Sequence, residues 1–464
     1  FCGIYLDSTK WKQKMLEDKK EMVDKEIILN KWILDNNFTE FINPQLDLFS
    51  TEREVNLNWN SEKQLFPLFK KLNIDLMVKD KKTGKFKQSI EAKQLQPQAY
   101  KSPLIPLYLE YKKAEKNLST YGENWLRQIN KNTGRIHTNF NPLMDTGRLS
   151  CGGKDKTKNI EYVNIQNLPA DHRTRSCFTV QCEDNILVDS DYSGQEAVIF
   201  ANKCLDKNLL DFYDNGYGDQ HSYVAKLCFP KQLEDISLEE VKKKRPDLRQ
   251  KAKSAGFALQ FGGVGATIAS NLGIPLEEGN EVEAAYYKAF PGVKNYFQKV
   301  INETMQNGYI LFNDFTKRKS FIDFFDEYKE LEKKFTPEYW DNYKIEKKLD
   351  TSNFHDKLLP EVREYFRLKG TIERKAKNYP VQGSAGDCTK LATYLLFNYI
   401  RENNLLNIIK IVNIVHDELL IECPENLKDI TSKITQESME KAGTYFCKRV
   451  PLKAEPSSEK YWKH

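Results

Sequence analysis

Two carboxylate sites carry the clearest chemical signal. Ile186, Leu187 and Val188 form a short apolar run that ends at Asp189-Ser190-Asp191 and leads into Tyr192-Ser193-Gly194. That pattern predicts a buried strand whose end delivers a carboxylate into a turn. More than two hundred residues later, the runs Ile408 to Val415 and Leu419 to Glu422 flank His416-Asp417-Glu418. They read as a β-hairpin with carboxylates at its tip. Strand ends of one sheet can converge, and two carboxylates meeting there repel unless divalent cations sit between them. Two hard metal ions about 3.5–4 Å apart suit in-line phosphoryl displacement: one activates the attacking hydroxyl, the other steadies the leaving oxygen. Taken singly, each Asp reads first as a turn former. The rest of the chain must decide.

The segment Arg249 to Gly262 supplies the complementary charge. Arg249, Lys253 and Phe257 are spaced by four and therefore share one face of a helix. Two cations and a ring on one stripe make a triphosphate cradle with a surface for a sugar or base. A snorkelling basic helix around a core Phe is the alternative. Gly256, inside the pattern, costs about 1 kcal/mol of helix stability relative to Ala, which favours close approach of a partner over simple packing.

Asp191-Tyr192-Ser193-Gly194-Gln195-Glu196 resembles motif A of the family A DNA polymerases, Arg249 to Gly262 their motif B, and Val415-His416-Asp417-Glu418 their motif C. Thr146-Gly147-Arg148-Leu149-Ser150 and Asn164 to Pro169 resemble the segments entering the palm. Asp219-Gln220-His221-Ser222 resembles a fingers segment, and Asn378 to Asp387 the run leading into the helix before motif C. Weaker similarity runs from Cys2-Gly3-Ile4-Tyr5-Leu6-Asp7 through Leu118-Ser119-Thr120-Tyr121. Each motif alone is weak; together, in order and at family-like spacing, they are specific.

The resemblance implies an α+β right-hand polymerase fold, with an antiparallel-sheet palm, helical fingers and a helical thumb. It implies two Mg²⁺ ions (with Mn²⁺ as a substitute) on Asp191, Asp417 and the Tyr192 carbonyl, with Glu418 in support. Arg249, Lys253 and His221 are then expected to hold the triphosphate, and Phe257 to pack against the incoming sugar. Gln195 and Phe261 join the nucleotide site, and Glu196 stands where a 2′-hydroxyl would project. Arg148, Gln382, Asn378 and His416 are expected at the primer-template terminus. The implied reaction is template-directed addition of dNTPs to a primer 3′ end with release of pyrophosphate, and the implied partners are primer-template DNA, dNTPs, and a separate exonuclease or processivity factor.

Departures from the family pattern matter. Phe261 replaces the motif B tyrosine, so the usual hydroxyl contact to Glu196 cannot form, and looser sugar discrimination is expected. Ala197-Val198 stand where an arginine commonly follows that glutamate, and Ser193-Gly194 is reminiscent of some phage enzymes. No stretch carries proofreading-exonuclease carboxylates. A single-subunit RNA polymerase would carry a small residue in place of Glu196 and Ser in place of Glu418. An inactive DNA-binding homologue would have lost Asp191, Asp417, Arg249 or Lys253.

The elements that must position these groups follow from the wider chain. The 464 residues, 40% hydrophobic and 30% charged, suffice for two to four packed units of an ordinary globular protein. No apolar run is long enough to cross a bilayer, so no membrane partner is expected, and the expected location is the cytoplasm of a bacterial or phage-infected cell. The nine cysteines show no paired CxxC spacing, which argues against a zinc site or disulfide framework and fits a reducing compartment. Ser61 to Thr120 holds 13 Lys against 6 acidic residues, a net +7. It reads either as a solvated helix face or as a grip on a phosphate backbone. The amphipathic stretch Trp11 to Leu34 predicts a helix, with loops at Asn43-Pro44 and Lys82 to Lys85. The expected layout is a thumb with its connecting segment over 1–130, palm over 131–204 and 378–464, and fingers over 205–377. The fingers include a charged, aromatic insertion at about 321–370 to which the sequence assigns no role.

Overall fold

The computed structural model describes residues 2–42, 54–79, 86–155, 157, 160–216, 218–347 and 359–463. The loops expected at Asn43-Pro44 and Lys82 to Lys85 lie outside these residues. Two compact units emerge.

One unit comprises Gly3–Thr138, Gly153–Gln181 and Tyr461–His464. Its longest helix, Ser8–Asp35, contains the whole stretch expected to be helical. The Asp7 carboxylate caps it, accepting from the Thr9 and Lys10 amides at 2.9 and 3.0 Å. The helix lies against Leu104–Thr120 over a core that includes Leu29, Ile33, Trp59, Leu65, Phe69 and Tyr108. In the short helix Glu62–Lys71, Leu65, Leu68 and Phe69 point inward while Lys63, Lys70 and Lys71 stay in solvent. Part of the lysine-rich charge is therefore the exterior of a small helical core, and Lys71 is neutralised by Glu40 at 2.6 Å. A three-stranded antiparallel sheet joins Arg135–Ile136, Ile4–Leu6 and Phe178–Thr179. Beside it the Trp11, Trp125 and Phe178 rings meet at 5.5–5.8 Å.

The other unit comprises Phe1–Cys2, Asn139–Gly152 and Cys182–Lys460. Its four-stranded antiparallel sheet runs in the order Lys410–Val415, Glu418–Pro424, Asn185–Tyr192, Ala454–Glu459. The expected hairpin is present, closed by the pair Val415↔Glu418 around His416-Asp417. The strand expected to stop at Asp191 continues to Tyr192, because the edge strand Ala454–Glu459 pairs with it that far. Helix Lys428–Phe446 covers the sheet, and the long helix Pro360–Glu402 packs against that helix. The Tyr192 hydroxyl donates to the Met439 carbonyl at 2.7 Å, tying the central strand to its covering helix.

The run Asn378 to Asp387 does not lead into a helix but lies inside one, since Pro360–Glu402 continues through Pro380. A proline inside a helix costs about 3 kcal/mol, and burial of Val381, Ala385, Cys388 and Ala392 on the core side offsets it. The insertion has its own core. Helices Phe325–Lys334 and Pro337–Lys347 pack with the first turns of the long helix around Phe312, Tyr328, Phe335, Tyr343, Val362 and Tyr365. Its charges face outward, as Asp326, Glu327, Lys333 and Lys334 do. All nine cysteines are free. Among the described residues no helix is long and apolar enough to cross a membrane.

Candidate active site

Antiparallel register brings the two motif aspartates to one end of the sheet. Ser190 pairs with Leu419 across the two central strands, so Asp191 lies one step beyond that pair and Asp417 two residues before it. On its other side Asp191 faces Glu455 of the edge strand, whose carboxylate accepts from the Ser193 hydroxyl at 2.6 Å. The tight turn requires His416 at φ 56°, a left-handed conformation rare for a non-glycine residue. It leaves the His416 side chain exposed and Asp417 half-buried. Burial pushes the Asp417 carboxyl above the usual carboxylate range, against the pull of its own amide, His416 and Arg148, with Glu418 adding to the rise. Glu418 and the Tyr192 ring are buried, at 4% and 1% exposure, which leaves only the backbone of Tyr192 available to a ligand.

Asp417 and His416 form one wall of a cavity of about 520 Å³. Glu196, Gln195, Phe261, Arg148, His221 and Phe257 line it too. These eight expected site residues come from five separate motifs. Other lining residues were not singled out in the sequence: Gln260, Tyr286, Thr389 and Lys390. Gln195 is buried and donates from Nε2 to the Thr389 hydroxyl at 3.1 Å. Asp191, Arg249, Lys253, Gln382 and Asn378 do not line the cavity. Asn378 and Gln382 sit half-buried one turn apart on the long helix. Among the described residues no cluster of three or more His, Cys, Asp or Glu side chains could hold a metal ion. The sequence reading leaves Asp191 and Asp417 as the candidate pair, a two-aspartate centre.

The basic stripe is helical, as its spacing requires: Pro246–Gln260 carries Arg249, Lys253 and Phe257. Phe257 is 52% exposed, too open for a core residue, and its ring lies 5.8 Å from that of His221. Nothing lies within 4 Å of where a Cβ on Gly256 would sit, so no packed protein group explains the glycine. Arg249 is held by a residue that sequence reasoning passed over. Asp219 accepts from Arg249 Nε and Nη2 at 2.7 and 3.0 Å, a two-point guanidinium fork. The same carboxylate caps helix Gln220–Cys228 through the His221 amide and the Ser222 amide and hydroxyl. Burial raises the Asp219 pKa, but Arg249 and Ser222 outweigh it and hold the group well below the usual range. Burial lowers the His221 pKa, and the neighbouring Arg249 and Lys253 charges lower it further, Asp219 opposing them. An Asp immediately before a helical run was the available signal for the cap.

Also in the cavity lining, the Arg148 guanidinium pairs with the Glu196 carboxylate. Glu196 stands in the first turn of helix Gln195–Cys204, whose N-cap Gly194 takes φ 65°.

Residues 45–464 match the sequence model of DNA polymerase family A. The chain belongs to that family. It is 31% identical over 413 residues to the DNA polymerase I of Caldicellulosiruptor bescii, covering 87% of this chain and 41% of that protein. The corresponding figures are 30% over 406 residues, 86% and 39%, for the DNA polymerase I of Geobacillus stearothermophilus. For the thermostable DNA polymerase I of Thermus aquaticus they are 29% over 412 residues, 87% and 42%. The chain thus spans about two fifths of the length of these relatives. Among solved structures, the POL domain of Pol1 from M. smegmatis, in complex with DNA primer-template and dNTP, superposes with a TM-score of 0.73 at 26% identity, covering 99% of this chain and 67% of that one. The right-hand family A fold expected from the motifs, mixing helices with antiparallel sheet, holds on this match.

Proposed function

We propose that this family A chain adds deoxynucleotides to a primer 3′ end under template direction, releasing pyrophosphate. The observation that carries the reading is the convergence of Asp191 and Asp417 at one sheet end, with Asp417 lining a cavity that residues of the basic helix also line. The DNA and dNTP bound to the POL domain of Pol1 support the same partners here.

A pair of divalent cations fits the residues present. Asp191 and Asp417 offer hard oxygen donors on neighbouring strands, and desolvated Asp417 gains from a cation that restores its charged form. With the Tyr192 carbonyl they would hold Mg²⁺, which when bound lowers the pKa of the attacking hydroxyl and stabilises charge on the phosphoryl oxygens. Arg249, Lys253 and His221 bind the triphosphate, and the two cationic side chains, Arg249 and Lys253, neutralise charge developing on pyrophosphate. Phe257 packs against the sugar, and Glu196 blocks a 2′-hydroxyl. Phe261 stacks beside the template base, while Arg148, Gln382, Asn378 and His416 hold the primer-template end. In this reading 1–130 is the thumb, 131–204 and 378–464 the palm, and 205–377 the fingers.

Primer extension with Mg²⁺, comparing dNTPs with rNTPs, tests the reading. The wild-type chain extends a primed template with dNTPs. Asp417→Asn loses extension yet retains primer-template binding in a gel-shift assay. Full activity of that variant excludes the two-aspartate centre.

A further inference from the structure

The glutamate that faces the sugar must be held if it is to discriminate. A carboxylate free to rotate swings away from an incoming 2′-hydroxyl or accepts a hydrogen bond from it, and either motion weakens rejection. The family resemblance assigned the holding to a tyrosine hydroxyl, and this chain has Phe261 there. Phe261 still lines the cavity, at the C-cap of helix Pro246–Gln260, but offers no donor. The partner that Glu196 does have is Arg148, which reaches it from the turn at Gly147.

That contact is built in. Gly147 takes φ 78°, which sets the direction of the chain at Arg148. A Cβ on Gly386 of the long helix would meet the Arg148 amide nitrogen and the Gly147 carbonyl at 3.0 Å each, so the turn sits directly on the helix backbone. The Arg318 guanidinium anchors the turn from the other side, donating to the Thr146 carbonyl at 2.9 Å and to the Gly383 carbonyl at 3.2 Å. Arg318 is itself paired with Asp387 at 2.9 Å. Arg148 and Glu196 are both only partly exposed, and burial lowers the Arg148 pKa while Asp417 opposes that effect.

We infer that Arg148 is the positioning residue for Glu196, replacing across the cavity the hydroxyl absent from position 261, so that sugar selectivity in this chain depends on Arg148. The guanidinium is suited to the task because its planar fork offers several donors. It can keep one on Glu196 while another meets a minor-groove acceptor. The inference rests on the nucleotide-site reading above and deepens it.

Single-nucleotide incorporation on a primed template gives the measurement: the ratio of kcat/KM for a dNTP to that for the matching rNTP. Arg148→Ala, and Arg148→Lys as the milder change, lower absolute rates through primer contacts, but that loss is shared by both sugars and cancels in the ratio. The ratio itself falls about tenfold, the scale of one charge-assisted hydrogen bond. In a Glu196→Ala background the same Arg148 changes leave the ratio unmoved. Phe261→Tyr, alone, alters the ratio less than about threefold, because Glu196 already has a holder. It also protects the ratio against loss of Arg148. A tenfold or larger gain in selectivity from Phe261→Tyr alone would mean that Glu196 is unheld in the wild type, and overturns the inference. An unchanged ratio in Arg148→Ala and Arg148→Lys overturns it as well. A wild-type chain that incorporates no dNTP sinks the polymerase reading first, and this inference with it.

Discussion

Asp219 joins two helices through one carboxylate, which makes its loss a quantitative test of how the basic helix is held. It caps Gln220–Cys228 and forks Arg249 on Pro246–Gln260. Replacing an Asp N-cap by Ala costs about 1 kcal/mol. The ion pair, with side chains 21% and 31% exposed, adds about 1 kcal/mol. Asp219→Ala should therefore lose about 2 kcal/mol, and Asp219→Asn, which keeps a capping oxygen, about half of that. At the size of these units 1 kcal/mol moves Tm by roughly 2–4 °C, so the Ala variant melts roughly 4–8 °C lower. Thermal unfolding followed by circular dichroism, with a double-mutant cycle against Arg249→Ala, separates the cap from the pair. An Asn variant that melts with the Ala variant assigns the whole effect to the charge pair. An Ala variant that melts with the wild type refutes the reasoning.

Lys253→Glu should raise the apparent KM for dNTP and lower the maximal rate in primer extension; unchanged kinetics remove this helix from the mechanism. Burial and the Arg249 and Lys253 charges lower the pKa of His221 below its ordinary 6.5. Between the folded and unfolded values the unfolded chain binds more protons, so stability rises with pH through that window and falls as pH drops below 6.5. His221→Asn should flatten this slope in denaturant titrations from pH 5 to 7.5, and an identical slope contradicts it. Phe335→Ala should cost about 3–5 kcal/mol locally. Because its core is separate, hydrogen exchange should rise over the described residues of 310–372 while the strands 410–415 and 418–424 keep their protection.

What was legible in the sequence was legible because its period or its turn chemistry was strong. The hairpin around His416-Asp417 announced itself as two apolar runs about a short polar interruption, and the register then forced Asp417 towards Asp191. The four-residue spacing of Arg249, Lys253 and Phe257 gave a helix face directly. Other features lay outside that grammar. The edge strand Ala454–Glu459 has a polar sequence with a proline, and only pairing to the central strand makes it a strand. Pro380 reads as a boundary, yet burial along both flanks carries the helix through it. The insertion mixes charge with aromatics in no simple period, since its rings meet from three helices rather than along one. The Arg148–Glu196 and Arg249–Asp219 pairs join residues 48 and 30 positions apart, and no local pattern encodes them.

The accuracy of the site depends largely on residues that do no chemistry. The long helix presents Gly383, Ser384, Ala385 and Gly386 in succession, and the two glycines and the serine each admit a neighbour. A Cβ on Gly383 would meet the Phe312 ring at 2.5 Å. The Ser384 hydroxyl donates to the Phe312 and Pro380 carbonyls at 3.0 and 2.7 Å. The Phe312 ring in turn carries the Arg318 guanidinium at 3.9 Å from its centroid, and Arg318 holds the turn before Arg148. A chain of contacts thus runs from a smooth helix face through a ring and a guanidinium to the side chain that meets Glu196. Motif reading finds the two ends of this chain, because their residue types suggest chemistry. It passes over the middle, because small residues and a stacked arginine announce only packing. If the inference on Arg148 holds, the geometry that discriminates between sugars is set in that middle.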